Sequence, residues 1–426
     1  MKAGVALVDI TPDHPVLMAG FAARTERSAG VHDRLTVRAI AVDNTVLAIA
    51  DVVGLDENLV ARVRERSALP PQNIICAATH THGAPISQTN RLNTEGDPKF
   101  FKALEDGLVE AIAQALANAV PARITIGMGD DPDVGRNRRH DDGPIDRSVP
   151  VMRFYRADGS IMAVLASYAC HPVVLGADNR LLTADYPNYT RLEIEAAYPG
   201  AIAVFAQGCP GDINTGHKAH DSWTRNANNQ RTFETAERLG RRVGKAALAA
   251  GETEIGDKAE GFATNVLLRL TRLDPEPLPV LADKWRTELA ETTDVVMQIV
   301  LKRWIEWAET YSNVPPGNWT GRASVFNWGG VPITALPGEV FTDTGLIIRD
   351  ACGNRPAFVL GYCDGSPGYI PSANEFQYGG YEVSEAYRFV GMAGAFAPGS
   401  AEALAGAVQA LLGVAGLATS EPGPSA

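Results

Sequence analysis

The segment Ile74-Ile75-Cys76-Ala77-Ala78 restricts the fold of this chain more than any other. It is short and wholly apolar, and turn formers bound it, with Pro70 and Pro71 before and Gly83 and Pro85 after. Such a run reads as a buried strand. It leads directly into Thr79-His80-Thr81-His82. Side chains of a strand alternate, which sets His80 and His82 on one face. Two imidazoles at the end of a core strand suit a metal or a general acid/base. The bland alternative is a pair of surface histidines, in a chain that holds 8 His among 426 residues.

The same alternation of short apolar runs and helical periodicity continues along the chain. Gly4–Ile10, Leu35–Ala41, Thr45–Val53, Arg123–Asp130, Pro150–Tyr155, Ile161–Cys170, Ala201–Ala206, Gly261–Leu273, Ser324–Trp328, Val331–Leu336 and Pro356–Cys363 read as strands. Glu57–Ser67, Asp97–Ala119, Tyr189–Tyr198, Phe233–Gly251, Glu339–Asp350 and Ala401–Leu412 read as helices. Asp283–Tyr311 carries apolar residues at helical steps, including three of the six Trp, and predicts one long helix. Its roles range from core packing to a substrate lid or a contact joining identical subunits. No internal repeat is visible. The fold class is therefore α/β (α+β), with mixed β-sheets flanked by helices.

Net charge is −12, so no basic surplus exists to neutralise phosphates, and nucleic acid is excluded as a partner. No apolar run reaches 18 residues, so no integral membrane segment is expected. The N-terminal apolar stretch is broken early by Asp9, unlike a secretory leader, and the five Cys are sparse and odd in number. Both features point to a cytoplasmic protein.

Further residues with chemical potential follow strands or turns. They are His171 before Pro172, Asp185, the glycine-bearing turn Gly208 to Asn214, Glu339 after Pro337-Gly338, and the loop Arg136-Asn137-Arg138-Arg139. Two His and a Glu would give a metal three ligands and leave one position open for water, the arrangement of catalytic zinc. Glu339 also reads as a first-turn charge favoured by a helix dipole. Cys209, with His217, is a thiol alternative.

The opening Asp9-Ile10-Thr11-Pro12, Met18-Ala19-Gly20-Phe21 and then Ala78-Thr79-His80-Thr81-His82-Gly83-Ala84-Pro85 resemble the neutral/alkaline non-lysosomal ceramidase family. Asn137-Arg138, His171-Pro172, Gly211-Asp212, Pro337-Gly338-Glu339, Gly368-Tyr369-Ile370 and Tyr381-Glu382 follow in the same order, from about residue 4 to 395. The resemblance implies a zinc amidase with one Zn2+ on His80, His171, Glu339 and Tyr369. It implies that His82, Arg138 and Tyr381 contact the reacting carbonyl or its tetrahedral intermediate. Where the family has a substrate-touching serine, this chain has Asn214, which excludes a serine nucleophile there and favours a metal-activated water.

Residues 1–415 are then expected to form a single large metallohydrolase domain, with a helical insertion at about 275–312 and a disordered tail over 416–426. Asp212 and Asn214 would shape the pocket, and Asp185 would accept an imidazole N–H. Lacking the family's leader and C-terminal immunoglobulin-like domain, the chain is expected to cleave a small-molecule amide smaller or more polar than ceramide. Esterase or lactonase action by the same site, and a binding protein without catalysis, are the alternatives.

Overall fold

A computed structural model describes residues 1–88, 95–219, 230–353 and 355–418. Its first sheet contains β1 (Lys2–Asp9), β2 (Thr36–Val42), β3 (Thr45–Ala50) and β4 (Ile74–Ala78). β1, β2 and β3 pair antiparallel in that order, and β4 lies parallel to β3 after helix α1 (Glu57–Glu65). Helix α2 (Pro98–Ala117) then packs back on the sheet. It begins at Asp97, whose carboxylate accepts from the amides of Lys99 and Phe100, with Pro98 in the first turn.

This order recurs twice. In the second sheet β5 (Arg123–Gly129), β6 (Val149–Tyr155) and β7 (Ile161–Tyr168) are antiparallel neighbours. Helix α3 (Tyr186–Ala197) leads to β8 (Ile202–Gln207), parallel to β7, and α4 (Phe233–Ala249) follows. In the third sheet β9 (Ala259–Thr271) precedes the inserted helices α5 (Leu278–Glu291) and α6 (Val295–Tyr311). β9 pairs antiparallel with β10 (Asn318–Trp328), and β10 with β11 (Val331–Ala335). Helix α7 (Thr342–Ala351) leads to β12 (Phe358–Leu360), parallel to β11, and α8 (Ser400–Val414) closes the unit.

The chain thus repeats its topology three times, although no repeat is visible in its sequence. Pairing and burial period fix such a unit, and Val, Ile, Ala and Phe satisfy the same inward positions interchangeably.

Strand alternation assembles the three units. Leu47 and Ile75 of the first sheet, Met152 and Leu165 of the second, and Phe326 and Ile333 of the third share one buried cluster. Opposite faces take each unit's own helices. Val46, Ala48 and Cys76 meet Val60 and Leu104; Val164 and Phe205 meet Tyr186 and Val243; Val325 and Val359 meet Ile348 and Leu404. Each fully buried side chain of this size contributes about 1.5–3 kcal/mol. Trp328 ties sheets together directly, its indole N–H donating to Thr45 Oγ1 at 2.7 Å.

Two expectations change. The segment 283–311 is not one helix: α5 ends at Glu291, and Asp294 caps α6 by accepting from Val296 and Met297. The Asp294 side chain offers the backbone a new start, and the two helices pack on each other. The apolar stripe of this pair (Trp285, Leu301, Trp307) is buried against Tyr387 and Ala395 of the same chain, the core-packing role among those expected. In the expected tail, Leu417 is buried on the third unit, and residues 419–426 lie outside the described residues. No helix among the described residues is long and apolar enough to cross a membrane.

Candidate functional site

The strand ends of all three units converge. β4 stops at Ala78, and His80 takes a left-handed conformation with φ 65°. Strand alternation therefore does not aim the two histidines. This bend does, and it brings His82 Nε2 to 3.3 Å from His80 Nε2. A non-glycine residue held at positive φ costs of order 1–3 kcal/mol and is characteristic of functional sites. His171 follows β7 in the second unit, and Glu339 follows β11 in the third. Glu339 Oε2 lies 3.1 Å from His171 Nε2 and 3.4 Å from His80 Nε2. One ligating atom from each of His80, His171 and Glu339 lies within 4.8 Å of the others.

The remaining ring nitrogens fix the tautomers. His80 Nδ1 donates to the Val53 carbonyl at 2.5 Å, and His171 Nδ1 donates to the Ile213 carbonyl at 2.9 Å. A carbonyl only accepts, so each Nδ1 holds the proton and each Nε2 turns a lone pair inward. Asp185 was expected in this orienting role. Instead it accepts from the amides of Leu175 and Tyr186, starting α3, while backbone carbonyls orient the imidazoles.

Buried lone pairs at these separations repel unless a proton or cation lies among them. Burial, with Arg138 beside it, pushes His171 down to about 4. Burial and the neighbouring His80 and His171 hold His82 well below the usual imidazole range. Burial opposes ionisation of Glu339, yet His80 and His171 hold it well below the usual carboxylate range. Two imidazoles with Nε2 turned inward and a carboxylate fit a divalent cation of borderline softness.

Glu339 does not open a helix. Gly338 has φ 69°, and a Cβ there would stand 2.7 Å from the Gly368 carbonyl oxygen. That turn puts Glu339-Val340 into a short parallel ribbon, with Glu339 opposite Tyr369. The Tyr369 ring stacks on His171 at 6.3 Å, and its hydroxyl accepts from Arg138 at 2.9 Å. Arg138 also donates to Glu382 at 2.8 Å and to the Gly211 carbonyl at 3.0 Å. Although burial works against its charge, Tyr369 and Glu382 hold it protonated. Arg139 extends this array, donating to Glu382 and Glu375, each at 2.8 Å. Tyr381 stands edge-on to Tyr369, ring centres 5.9 Å apart.

Other residues singled out in the sequence stand behind the centre. The Asp212 carboxylate accepts from Thr342 N and Asn137 Nδ2, and burial pushes it up to about 6. Asn214 braces its own loop: its Oδ1 accepts from Gly216 and His217, and its Nδ2 donates to the His217 carbonyl. Cys209 is buried among apolar residues of the third unit, and burial pushes its thiol up. Its Sγ lies 4.0 Å from the Val359 carbonyl, an environment opposed to a thiolate nucleophile.

Sequence reasoning missed Tyr362. This residue has φ 55°, stacks on His80 at 4.0 Å and brings its hydroxyl to 3.3 Å from His171 Nε2. Its signal was faint: one aromatic just past an apolar run, beside Gly361.

These groups form the floor of a cavity of about 350 Å3, to which His80, His82, Glu339, Tyr369 and Tyr381 contribute. Leu17, Met18, Phe21, Ile86, Phe389 and Val390 make its sides apolar. The Met18-Ala19-Gly20-Phe21 motif gains a physical reason here. Gly20 has φ 96°, and a Cβ on it would lie 2.5 Å from the His82 ring.

Residues 1–258 match the family model described as neutral/alkaline non-lysosomal ceramidase, N-terminal. The neutral ceramidase of Pseudomonas aeruginosa is 27% identical over 246 residues, covering 50% of this chain and 36% of that protein. The neutral ceramidase of Mycobacterium tuberculosis is 26% identical over 256 residues, covering 50% and 40%. The matched region thus spans well under two thirds of these relatives. The crystal structure of the P. aeruginosa neutral ceramidase shares the fold, with a TM-score of 0.74 at 19% identity, covering all of this chain and 76% of that one. A second solved structure, a ceramidase complexed with C2, gives 0.73 at 20% identity. Because the family pattern runs through 258 of the 426 residues, the chain belongs to the neutral/alkaline non-lysosomal ceramidase family.

Proposed function

We propose that this protein is a zinc-dependent hydrolase of a C–N amide bond in an N-acyl amine. The convergence of His80, His171 and Glu339, with both Nδ1 protons spent on carbonyls, carries the proposal. Tyr369, opposite Glu339 in the ribbon, completes the proposed ligand set. A bound divalent cation supplies Lewis acidity toward a carbonyl and acidifies water toward pKa ~7.

The chain's own groups do the remainder. The Arg138 guanidinium, fixed on Glu382 and Gly211, presents a permanent positive charge where an oxyanion develops. The Tyr381 hydroxyl, kept protonated by burial, donates a hydrogen bond to the same oxygen. His82, neutral and with Nδ1 free of any hydrogen-bond partner among the described residues, receives a proton and passes it to the leaving amine. Asp212 holds the segment of Arg138, its carboxylate accepting from Asn137 and its backbone carbonyl from the Arg138 amide, and Asn214 braces the loop beside it.

A cavity of about 350 Å3 lies near the lower end of small-molecule sites, roughly 300–1,000 Å3, which supports a substrate smaller than ceramide. All five cysteines are unpaired and buried, in keeping with a cytoplasmic location.

The test is metal analysis of purified protein beside a screen of N-acyl amines from acetyl to long-chain. One zinc per chain is expected, with turnover lost to a chelator and restored by zinc. Turnover by metal-free protein, or no metal uptake at all, overturns the proposal.

A further inference from the structure

Three parallel strand pairs end at the candidate metal centre, and their registers superpose. In the first unit Ala50 of β3 pairs with Ala78 of β4, and His80 stands two residues past that pair. In the third unit Ala335 of β11 pairs with Leu360 of β12, and Tyr362 stands two residues past. Both residues are left-handed, with φ 65° for His80 and 55° for Tyr362. Such a backbone is uncommon for a bulky side chain and persists only where the surroundings over-determine it. Here they do. The Tyr362 amide donates to the Gly338 carbonyl, and the Tyr362 carbonyl accepts from the Ala78 amide, each at 3.1 Å. Tyr362 is thereby tied to the strand end that carries His80 and to the turn that carries Glu339. Cys209, at the matching place in the second unit, is not left-handed, and its thiol lies in an apolar cluster.

Phenylalanine would stack on His80 as well as Tyr362 does. The hydroxyl is what needs a reason, because burying one carries a desolvation cost. Tyr362 is fully buried, and among the described residues its hydroxyl has one partner, His171 Nε2 at 3.3 Å. That separation is long for a hydrogen bond. It suits two donors that share an ion: bonds of about 2.0–2.2 Å put neighbouring ligand atoms roughly 3–3.6 Å apart. Glu339 Oε2 keeps similar spacings, 3.1 Å to His171 Nε2 and 3.4 Å to His80 Nε2. His80, Glu339 and Tyr369 line the cavity, whereas Tyr362 belongs to the buried core of the first unit.

We infer that the Tyr362 hydroxyl oxygen is a further donor to the cation, reaching it from the buried side as the third unit's counterpart of His80. It adds to His80, His171, Glu339 and Tyr369 and leaves the cavity side of the ion to water and substrate. The inference rests on the metal site proposed above and names one more residue that builds it.

The experiment loads wild type and Tyr362→Phe with zinc and, separately, with cobalt(II). Zinc affinity is measured by competition with a chelator, and the visible absorption of the cobalt form reports the ligands around the ion. Tyr362→Phe keeps the ring on His80 and removes only the oxygen. It is expected to weaken zinc binding about tenfold or more and to change the cobalt spectrum, which a packing role alone would not move. Crystals of the zinc-loaded wild type should place the ion about 2.0–2.2 Å from Tyr362 Oη. An affinity within about threefold of wild type with an unchanged cobalt spectrum, or an ion more than about 3 Å from Oη, overturns the inference.

If Tyr362→Phe does not fold, the wild-type crystal decides alone. The two proposals separate cleanly. Zinc held equally with and without the Tyr362 hydroxyl removes the donor and leaves the hydrolase. Tyr362-dependent zinc in a protein without amide turnover keeps the donor and removes the hydrolase. A wild type that binds no zinc overturns both.

Discussion

Floor and roof of the cavity hold their side chains by different means. The floor is set at strand ends, where carbonyls and ion pairs fix the polar groups named here: Val53 for His80, Ile213 for His171, Glu382 for Arg138. The roof is α6, held by aromatic contacts among Trp304, Trp307, Tyr387 and Phe389 and anchored at one end by Trp307 and Tyr311 donating to the Met392 and Gly391 carbonyls. Hydrogen bonds impose direction and leave little room to move, whereas aromatic contacts tolerate small rotations. The proposed chemistry, which needs tight geometry, would therefore sit on the sheets, and the insertion could vary without disturbing it.

The largest effect should come from the floor ligands. His80→Ala and Glu339→Gln should each drop bound metal below about a tenth of an equivalent and turnover by about 10³-fold or more. Elemental analysis beside a rate measurement checks this; a variant that keeps its metal would remove the floor from the comparison. Next comes Arg138→Gln, which should leave metal content intact while lowering kcat about 10²–10³-fold. A change confined to KM would move Arg138 from catalysis to binding.

Gly20→Ala is milder. Its methyl meets the His82 ring at 2.5 Å. It should cost of order 1–3 kcal/mol of stability and about tenfold in kcat, read by denaturant titration and steady-state kinetics. The roof offers the last comparison. Trp307 is fully buried and donates to the Met392 carbonyl at 2.8 Å. Trp307→Ala should remove about 3–5 kcal/mol from the helical pair, seen as faster amide exchange over 278–311, while bound metal changes by less than about twofold. Loss of the metal in this variant would show that roof and floor are one cooperative unit.

Much of the floor was legible in the sequence, because chemically apt residues followed short apolar runs bounded by turn formers. His80, His171 and Glu339 were found that way, and Tyr369 and Tyr381 only through the family resemblance. What escaped depended on backbone dihedrals and long-range pairing. The helix expected from Glu339 begins instead at Thr342, because Gly338 at positive φ feeds a ribbon with Tyr369. Tyr362 reaches His171 only through its left-handed backbone. Asp185 looked like a partner for imidazole, but nothing local to the sequence could reveal that the carbonyls of Val53 and Ile213 already filled that role. The α5–α6 break needed only Asp294 read as a cap, a signal present in the sequence and outweighed by the longer apolar period.

The threefold topology has a consequence for the order of assembly. Each unit carries one arm of the candidate ion-binding group, and two of the arms are 168 positions apart along the chain. No nascent unit can capture a cation with all three donors while its neighbours are unfolded, because closing such long loops first costs entropy that only docking of the units returns. On the proposed metal site, loading would therefore be a late event that reports complete folding, and a chain arrested with two units docked would be left with an incomplete set of donors.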